Sequence, residues 1–367
     1  MRFILDAHLD LALNALRYDR DQLKPISELR ALEAGMIGKC RASCTVSLPE
    51  MRRGRIGICL ATVLSRARPA PSDDPGGLRQ RGEALLREDL DHDNQTIASA
   101  FAQAELAYYR MLERGGHLRM IRTRSDLDET FTRWQSDDTG PVGILLSMEG
   151  TDPIVDPDHA EWWWRQGLRT ACLAHYGQSP HAMGTGGDGP LTPAGRDLLA
   201  QFNRLGLILD LVHTADTALD EAMEIYEGPV FVSHGNCRSL VPGDRQITDE
   251  QIRRIAERGG VLGAVLDCWM LHPEWRKGAG CRDDVELSRV ADQIDHNCQL
   301  LGNCRHVGIG SDLDGGFGTE QSPSDLDTIA DLHKLEDILA ERGYGDEDLD
   351  AVFHENWIGF FREALPA

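Results

Sequence analysis

The chain has 367 residues, 41% apolar and 27% charged, enough to bury a sizeable core and a usual size for one large α/β barrel with insertions. Its formal net charge of −22 argues against nucleic acid and anionic membranes as partners, since both recruit basic patches. No run approaches the roughly 20 apolar residues of a membrane span, and Asp6 interrupts Phe3-Ile4-Leu5 before a signal-type apolar region can form.

Taken in chain order, the first apolar run, 3–7, predicts a strand leading into His8 and Asp10. A second strand over 56–64 runs into a Pro-, Gly- and Asp-rich surface loop over 66–81, part of an insertion near 66–90. An amphipathic stretch at 94–114 predicts a helix. The third strand, 142–147, ends in Glu149. Trp162-Trp163-Trp164 reads as a helix that packs one or two rings on the barrel; its functional alternative is a subunit interface, hence a homodimer. The fourth strand, 169–174, leads to His175 and then to a second, glycine-rich insertion at 184–190. Helices over 192–205, 249–259 and 285–301 alternate with strands over 207–212, 230–233, 261–266 and 306–310. Of these strands, the first two end in His213 and His234, and the last in Asp312 and Asp314. Thr248-Asp249-Glu250-Gln251 is a capped helix start, and Gly259-Gly260 a stop.

Near-continuous apolar strands alternating with helices predict a parallel sheet buried on both faces. Eight such units predict a (β/α)8 TIM-type barrel, here one catalytic domain over 1–367 with the architecture of metal-dependent hydrolases. In that fold the active site lies at the C-terminal ends of the strands. Six strands bring imidazole or carboxylate to that rim, a mixed nitrogen and oxygen set that suits zinc. His8 and Asp10, two apart, point the same way if the strand continues, so both reach one ion. Two ions about 3.5–4 Å apart need a bridging ligand, and Glu149 can offer one oxygen to each. A lysine-derived bridge from the middle strands is excluded, because the only lysines are Lys24, Lys39, Lys277 and Lys334. Nine cysteines without Cys-x-x-Cys pairs read as free thiols in a reducing cytoplasm. Asp314 reads as a supporting or turn residue. His92, His117, His159, His272, His333 and His354 read as residues of loops or polar helix faces, and His296 and His306 as hydrogen-bonded structural groups. His181, after the fourth strand, is set aside as a ligand.

At these residues the chain resembles the membrane dipeptidase (renal dipeptidase) family of dinuclear zinc peptidases over nearly its whole length. The anchors are "DAHLDLA", "LSMEGTD", "CLAHYGQS", "LTPAGRDLLAQFNRLGLILDLVH", "FVSHGNCRSL" and "DHNCQLLGNCRHVGIGSDLDGG". The resemblance implies two zinc ions per chain, one on His8 and Asp10, the other on His213 and His234, with Glu149 between them. It further implies that His175 and Arg245 contact substrate and that Asp312 is the catalytic acid/base. The implied reaction is hydrolysis of a dipeptide, with a C-terminal D-residue accepted, by a hydroxide bridging the metals. Two segments depart from the family pattern, "LDCWMLHPEW" after the seventh strand and the glycine-rich loop after the fourth, and both shape the side-chain pocket. Two other readings compete. One is a metal-dependent hydrolase of another small carboxylated amide, such as an N-acyl amino acid or a lactam. The other is a non-catalytic, metal-stabilised binding protein.

Overall fold

The computed structural model describes residues 1–67, 91–136 and 140–367. Eight strands carry the architecture: β1 (Ile4–Leu9), β2 (Ile56–Val63), β3 (Val142–Glu149), β4 (Leu168–Cys172), β5 (Ile208–Asp210), β6 (Val230–Phe231), β7 (Leu262–Ala264) and β8 (Val307–Ile309). They pair in the order β7-β8-β1-β2-β3-β4-β5-β6. Every pairing is parallel. A parallel bridge from Val232 to Leu262 joins the β6 end back to β7, so the sheet closes as the eight apolar runs predict. A further strand, Leu118–Met120, pairs with β3 outside the ring.

Every residue of β2 and of β3 is buried, which is why these segments read as continuous apolar runs rather than as an alternation. The helices that cover the sheet follow their punctuation. Asn94 caps Gln95–Arg114 by accepting from Ile97 N at 3.0 Å, and Ala98, Ala102, Leu106, Tyr109 and Leu112 form its buried stripe. Burying one such leucine contributes about 1.5–3 kcal/mol. Thr192 caps Pro193–Leu205 through Gly195 N, and Thr248 with Gln251 forms a capping box on Asp249–Glu257. The 285–301 helix starts later than its pattern, at Ser288: the Val285 carbonyl accepts from Ser324 N at 2.8 Å and Leu287 N donates to Asp325 Oδ1 at 2.9 Å, so the backbone before it is held by the 324–325 segment. Where the strand ends converge, a Cβ on Gly310 would stand 1.8 Å from the Ser233 carbonyl oxygen, so only glycine lets the backbones meet.

The tryptophan triplet lies on His159–Gln166. Trp163 is fully buried, Trp164 stacks on Arg169 at 4.8 Å, and Trp162 is half-exposed. The first insertion leaves the barrel as Arg66–Ala67 and returns as Asp91–His92, two segments that pair in parallel. The rest of it, 68–90, lies outside the described residues. The 184–190 loop folds back on the site through bridges Tyr176–Thr185 and Gly184–Thr214. Two histidines read as loop or polar-face residues are buried instead: His92, and His354, which packs between Phe3 and Phe131. All nine cysteines are unpaired, and seven are buried. Among the described residues no helix is long and apolar enough to cross a membrane.

Candidate active site

The rim residues follow a common rule. His175, His213, His234 and Asp312 each lie three residues beyond the last residue of β4, β5, β6 and β8, and Glu149 is the last residue of β3. His8 is still in β1, whose register with β2 shifts between Asp6 and Leu9. Asp10 has left the strand and stands at the start of helix Leu11–Tyr18 with φ −91° and ψ 51°. The pair therefore converges through a bend rather than through the strand alternation expected of it.

Two buried carboxylates fix these ends. Asp6 Oδ1 accepts from His8 N at 3.1 Å and from Ser311 N at 2.9 Å. Asp210 Oδ1 accepts from Val212 N at 3.1 Å and from Ser233 N at 3.0 Å. Each aspartate thus ties its own strand end to a neighbour's. His213 and Asp312 both sit at φ +58°, a left-handed backbone that costs energy outside glycine and marks over-determined functional turns. Gly315 completes the Asp312 turn, since a Cβ there would stand 1.8 Å from Asp312 Oδ1.

Glu149 is the centre of the geometry. Its Oε1 faces His213 Nε2 at 3.2 Å, His234 Nε2 at 3.4 Å and His175 Nε2 at 3.7 Å. Its Oε2 faces His8 Nε2 at 3.6 Å, and His8 Nε2 lies 3.8 Å from Asp10 Oδ2. Two triads, Glu149 with His213 and His234, and His8 with Asp10 and Glu149, bring one donor atom per residue within 4.8 Å of one another. A third triad, His8 with His234 and Asp312, does the same, so Asp312 is also within reach of a cation.

The donor chemistry fits a pair of cations. The buried His8 Nε2 has no hydrogen-bond partner among the described residues. His213 Nδ1 pairs with Thr185 Oγ1 at 3.0 Å and His234 Nδ1 with Ser233 Oγ at 2.9 Å, which leaves both Nε2 atoms for a ligand. Burial, reinforced by Arg245 and the neighbouring imidazoles, lowers the pKa of His213 and of His234 well below the usual histidine value. Both rings are thus neutral, the form that binds metal. Burial raises the Glu149 pKa against the pull of His8. Burial opposes charge on His8, but Glu149, Asp10 and Asp312 outweigh it and raise its pKa. Carboxylates this crowded and this dry call for counter-charge, which a proton or a cation supplies.

Around this centre, Arg245 is buried, at 3% exposure. Its Nη2 donates to the His234 carbonyl at 3.1 Å, and its buried Nη1 has no partner among the described residues. His175 Nδ1 lies 3.3 Å from Arg66 Nη1. A guanidinium only donates, so Nδ1 accepts and Nε2 carries the proton, aimed into the site. Burial pushes the Asp312 carboxyl up to about 7, with Asp10 adding to it and His8 and Arg245 opposing. All eight residues singled out in the sequence as site residues therefore meet at one rim.

Other residues of the site, Asp314 and His181 apart, carried no signal of spacing. Thr62 Oγ1 donates to Asp10 Oδ1, and Tyr109 OH donates to the Thr62 carbonyl at 2.7 Å. Asp314 accepts from Thr45 N, Thr45 Oγ1 and Val46 N at 2.7–3.0 Å, the supporting role read for it. Asn14 Nδ2 donates to the carbonyls of Asp10 and Asp314, both at 2.9 Å, and the buried Arg20 clamps Asn14 Oδ1 at 2.6 Å. His181 lies behind the site on Thr151 Oγ1 at 2.9 Å, and burial lowers its pKa to about 4. The cleft, about 170 Å³, is completed by Lys39, Tyr176, Asp267, Trp269 and Lys277.

The sequence profile of the membrane dipeptidase family, peptidase family M19, matches residues 2–365. Dipeptidase tcpJ of Claviceps purpurea is 28% identical over 291 residues, covering 77% of this chain and 63% of that protein. The chain spans about half to two thirds of the length of the curated relatives it matches. A crystal structure described as dipeptidase AC, a metallo peptidase of family M19, superposes with a TM-score of 0.78 at 23% identity, covering 100% of this chain and 99% of that one. The metallo peptidase from Rhodobacter sphaeroides liganded with a phosphinate mimic of the dipeptide L-Ala-D-Ala superposes with a TM-score of 0.76 at 24% identity, with 99% of both chains covered. At these identities the superpositions speak for the barrel fold.

Proposed function

Since the chain belongs to the membrane dipeptidase family, we propose that it is a dipeptidase working with two zinc ions, one on His8 and Asp10 and the other on His213 and His234, with Glu149 shared. The observation that carries this reading is the orientation of Glu149: Oε1 faces the histidines of β5 and β6, and Oε2 faces His8 of β1. The ions would supply Lewis-acid polarisation of the scissile carbonyl and an activated water.

The chain's own groups do the rest. Arg245 Nη1, buried and unpartnered, takes the C-terminal carboxylate of the substrate, while its Nη2 is anchored on the His234 carbonyl. His175 donates Nε2–H to the scissile carbonyl oxygen and to the oxyanion that develops there. A neutral imidazole does this without taking a second proton, and burial together with Arg66 keeps its pKa well below the usual value. Asp312, with a pKa near neutrality, accepts the proton from the attacking water and passes it to the leaving amine. The phosphinate mimic of L-Ala-D-Ala on the Rhodobacter sphaeroides peptidase supports extending the substrate class to dipeptides ending in a D-residue. The same reading places the protein in a reducing cytoplasm, which nine unpaired thiols support, and assigns a homodimer contact to half-exposed Trp162.

A steady-state screen of L,L- and L,D-dipeptides beside N-acyl amino acids, on zinc-loaded protein, tests the proposal. Turnover of dipeptides above N-acyl amino acids is the expected result. Turnover confined to the N-acyl compounds, or none at all, contradicts it.

A further inference from the structure

Only four of the 38 basic side chains are lysines, and two of them, Lys39 and Lys277, line this one cleft. The other two are paired on the surface, Lys24 with Glu28 and Lys334 with Asp331 at 3.1 Å. Among the described residues neither cleft lysine meets a carboxylate within the 4.0 Å of an ion pair, in a chain of net charge −22. An acidic protein has many carboxylates to offer, yet among the described residues both ammonium groups of this cleft stand without an ion-pair partner.

Their positions are held. Lys277 Nζ lies 4.5 Å from the centroid of the Trp269 ring and 5.9 Å from that of Tyr176. The indole is itself fixed: Trp269 Nε1 donates to Asp267 Oδ2 at 2.6 Å, and Gln321 Nε2 holds both Asp267 oxygens at 2.8 Å. Lys39 Nζ stands over Gly316, 3.9 Å from where a side chain would begin, beside the turn that carries Asp312. With Asp10, Glu149 and Asp312 assigned to the proposed metal centre, Asp267 is the carboxylate left among the described lining residues to face Lys39, Lys277 and Arg245. Burial lowers the Lys277 pKa, with Lys39 and Arg245 adding to the effect and Asp267 and Asp312 opposing it, as befits a cation crowded by cations. One anion, the α-carboxylate assigned to Arg245, leaves this mouth under-neutralised.

We propose that the substrate carries a second carboxylate, on the side chain of its C-terminal residue, which Lys277 binds with Lys39 beside it, so that the preferred dipeptides end in an aspartyl or glutamyl residue. The proposal rests on the dipeptidase reading. It puts the second anion on the C-terminal residue because Arg245, whose charge acts on Lys277, holds the α-carboxylate of that same residue. It also gives a role to the "LDCWMLHPEW" segment, which supplies Trp269 and Asp267 and orients Lys277 just past its end.

The test is kcat/KM on the zinc-loaded protein for Ala-Asp against its isostere Ala-Asn, and for Asp-Ala against Asn-Ala, each with L- and D-residues at the C-terminal position. Ala-Asp should exceed Ala-Asn by about tenfold, the low end of what a charge-lined cleft gives. Lys277→Met keeps the length and the contact with Trp269 and should bring that ratio to within about twofold of one. Lys277→Glu should invert it, and Lys334→Met should leave it as in the wild type. An Asp/Asn ratio of one in the wild type, a preference that follows the N-terminal residue instead, or a ratio unmoved by Lys277→Met overturns the proposal while the dipeptidase reading stands. Failure to hydrolyse any dipeptide overturns both.

Discussion

Replacing Arg245 by lysine keeps the charge and removes the fork. The guanidinium serves two partners at once, the His234 carbonyl through Nη2 at 3.1 Å and the substrate carboxylate through Nη1. A single ammonium at the end of a flexible stem cannot keep both in the same geometry. One hydrogen bond to a charged group contributes about 1.5–3 kcal/mol. At 1.36 kcal/mol per tenfold, Arg245→Lys should lower kcat/KM by about 10- to 150-fold. The assay is a comparison of a dipeptide with its C-terminal amide, which lacks the charge. On the amide, the variant and the wild type should differ by only a few-fold. A melting temperature near the wild-type value is needed alongside, because Arg245 also braces the strand end that carries His234. Equal losses on the acid and the amide would refute the carboxylate role and leave Arg245 as a brace.

The remaining predictions concern the metal centre and its supports. Glu149→Ala should cost occupancy at both metal positions, and His213→Ala mainly at one, read by elemental analysis of zinc-loaded protein. Asp312→Asn should lower kcat by about 10²–10⁴-fold with both metals retained if Asp312 moves the proton; loss of zinc, with activity restored by added zinc, would make it a ligand instead. In metal-free protein, burial raises the Asp312 pKa to about 7, so between its unfolded value and 7 the folded state holds a proton that the unfolded state has lost. Its contribution to stability therefore falls as pH rises through that window, and Asp312→Asn should gain on the wild type in melting temperature from about pH 4 to pH 7; a parallel pair of curves would contradict the shift. Arg20→Met removes the buried partner of Glu33, bonded at 2.8 and 3.0 Å, and of Asn14, and should cost about 3–5 kcal/mol in denaturant unfolding.

The barrel was legible because parallel strands buried on both faces write themselves as unbroken apolar runs, and β2 and β3 are buried at every position. The rim was legible because strand ends deliver it: four of its residues lie three positions past a strand. His8 and Asp10 were brought together for a different reason from the one their spacing gives, since the chain has already turned toward helix Leu11–Tyr18 at Asp10. Arg245 illustrates the limit of local reading. Its loop is polar, and only the closure of that loop over the β6 end buries it. Asn14, Arg20, Thr62 and Tyr109 act through contacts between segments up to 300 residues apart, which no window of sequence displays. Lys39 and Lys277 served in the sequence only to exclude a lysine bridge; that they share a cleft depends on the 266–275 segment and the 312–316 turn meeting across the rim.

The central claim is that Glu149 stands between two metal ions. Anomalous diffraction from crystals of zinc-loaded protein, collected across the zinc edge, tests it most directly. Two peaks should flank the Glu149 carboxylate, one among Oε1, His213 and His234, the other among Oε2, His8 and Asp10. A single peak, or zinc bound away from Glu149 with these side chains arranged as described, would contradict the account.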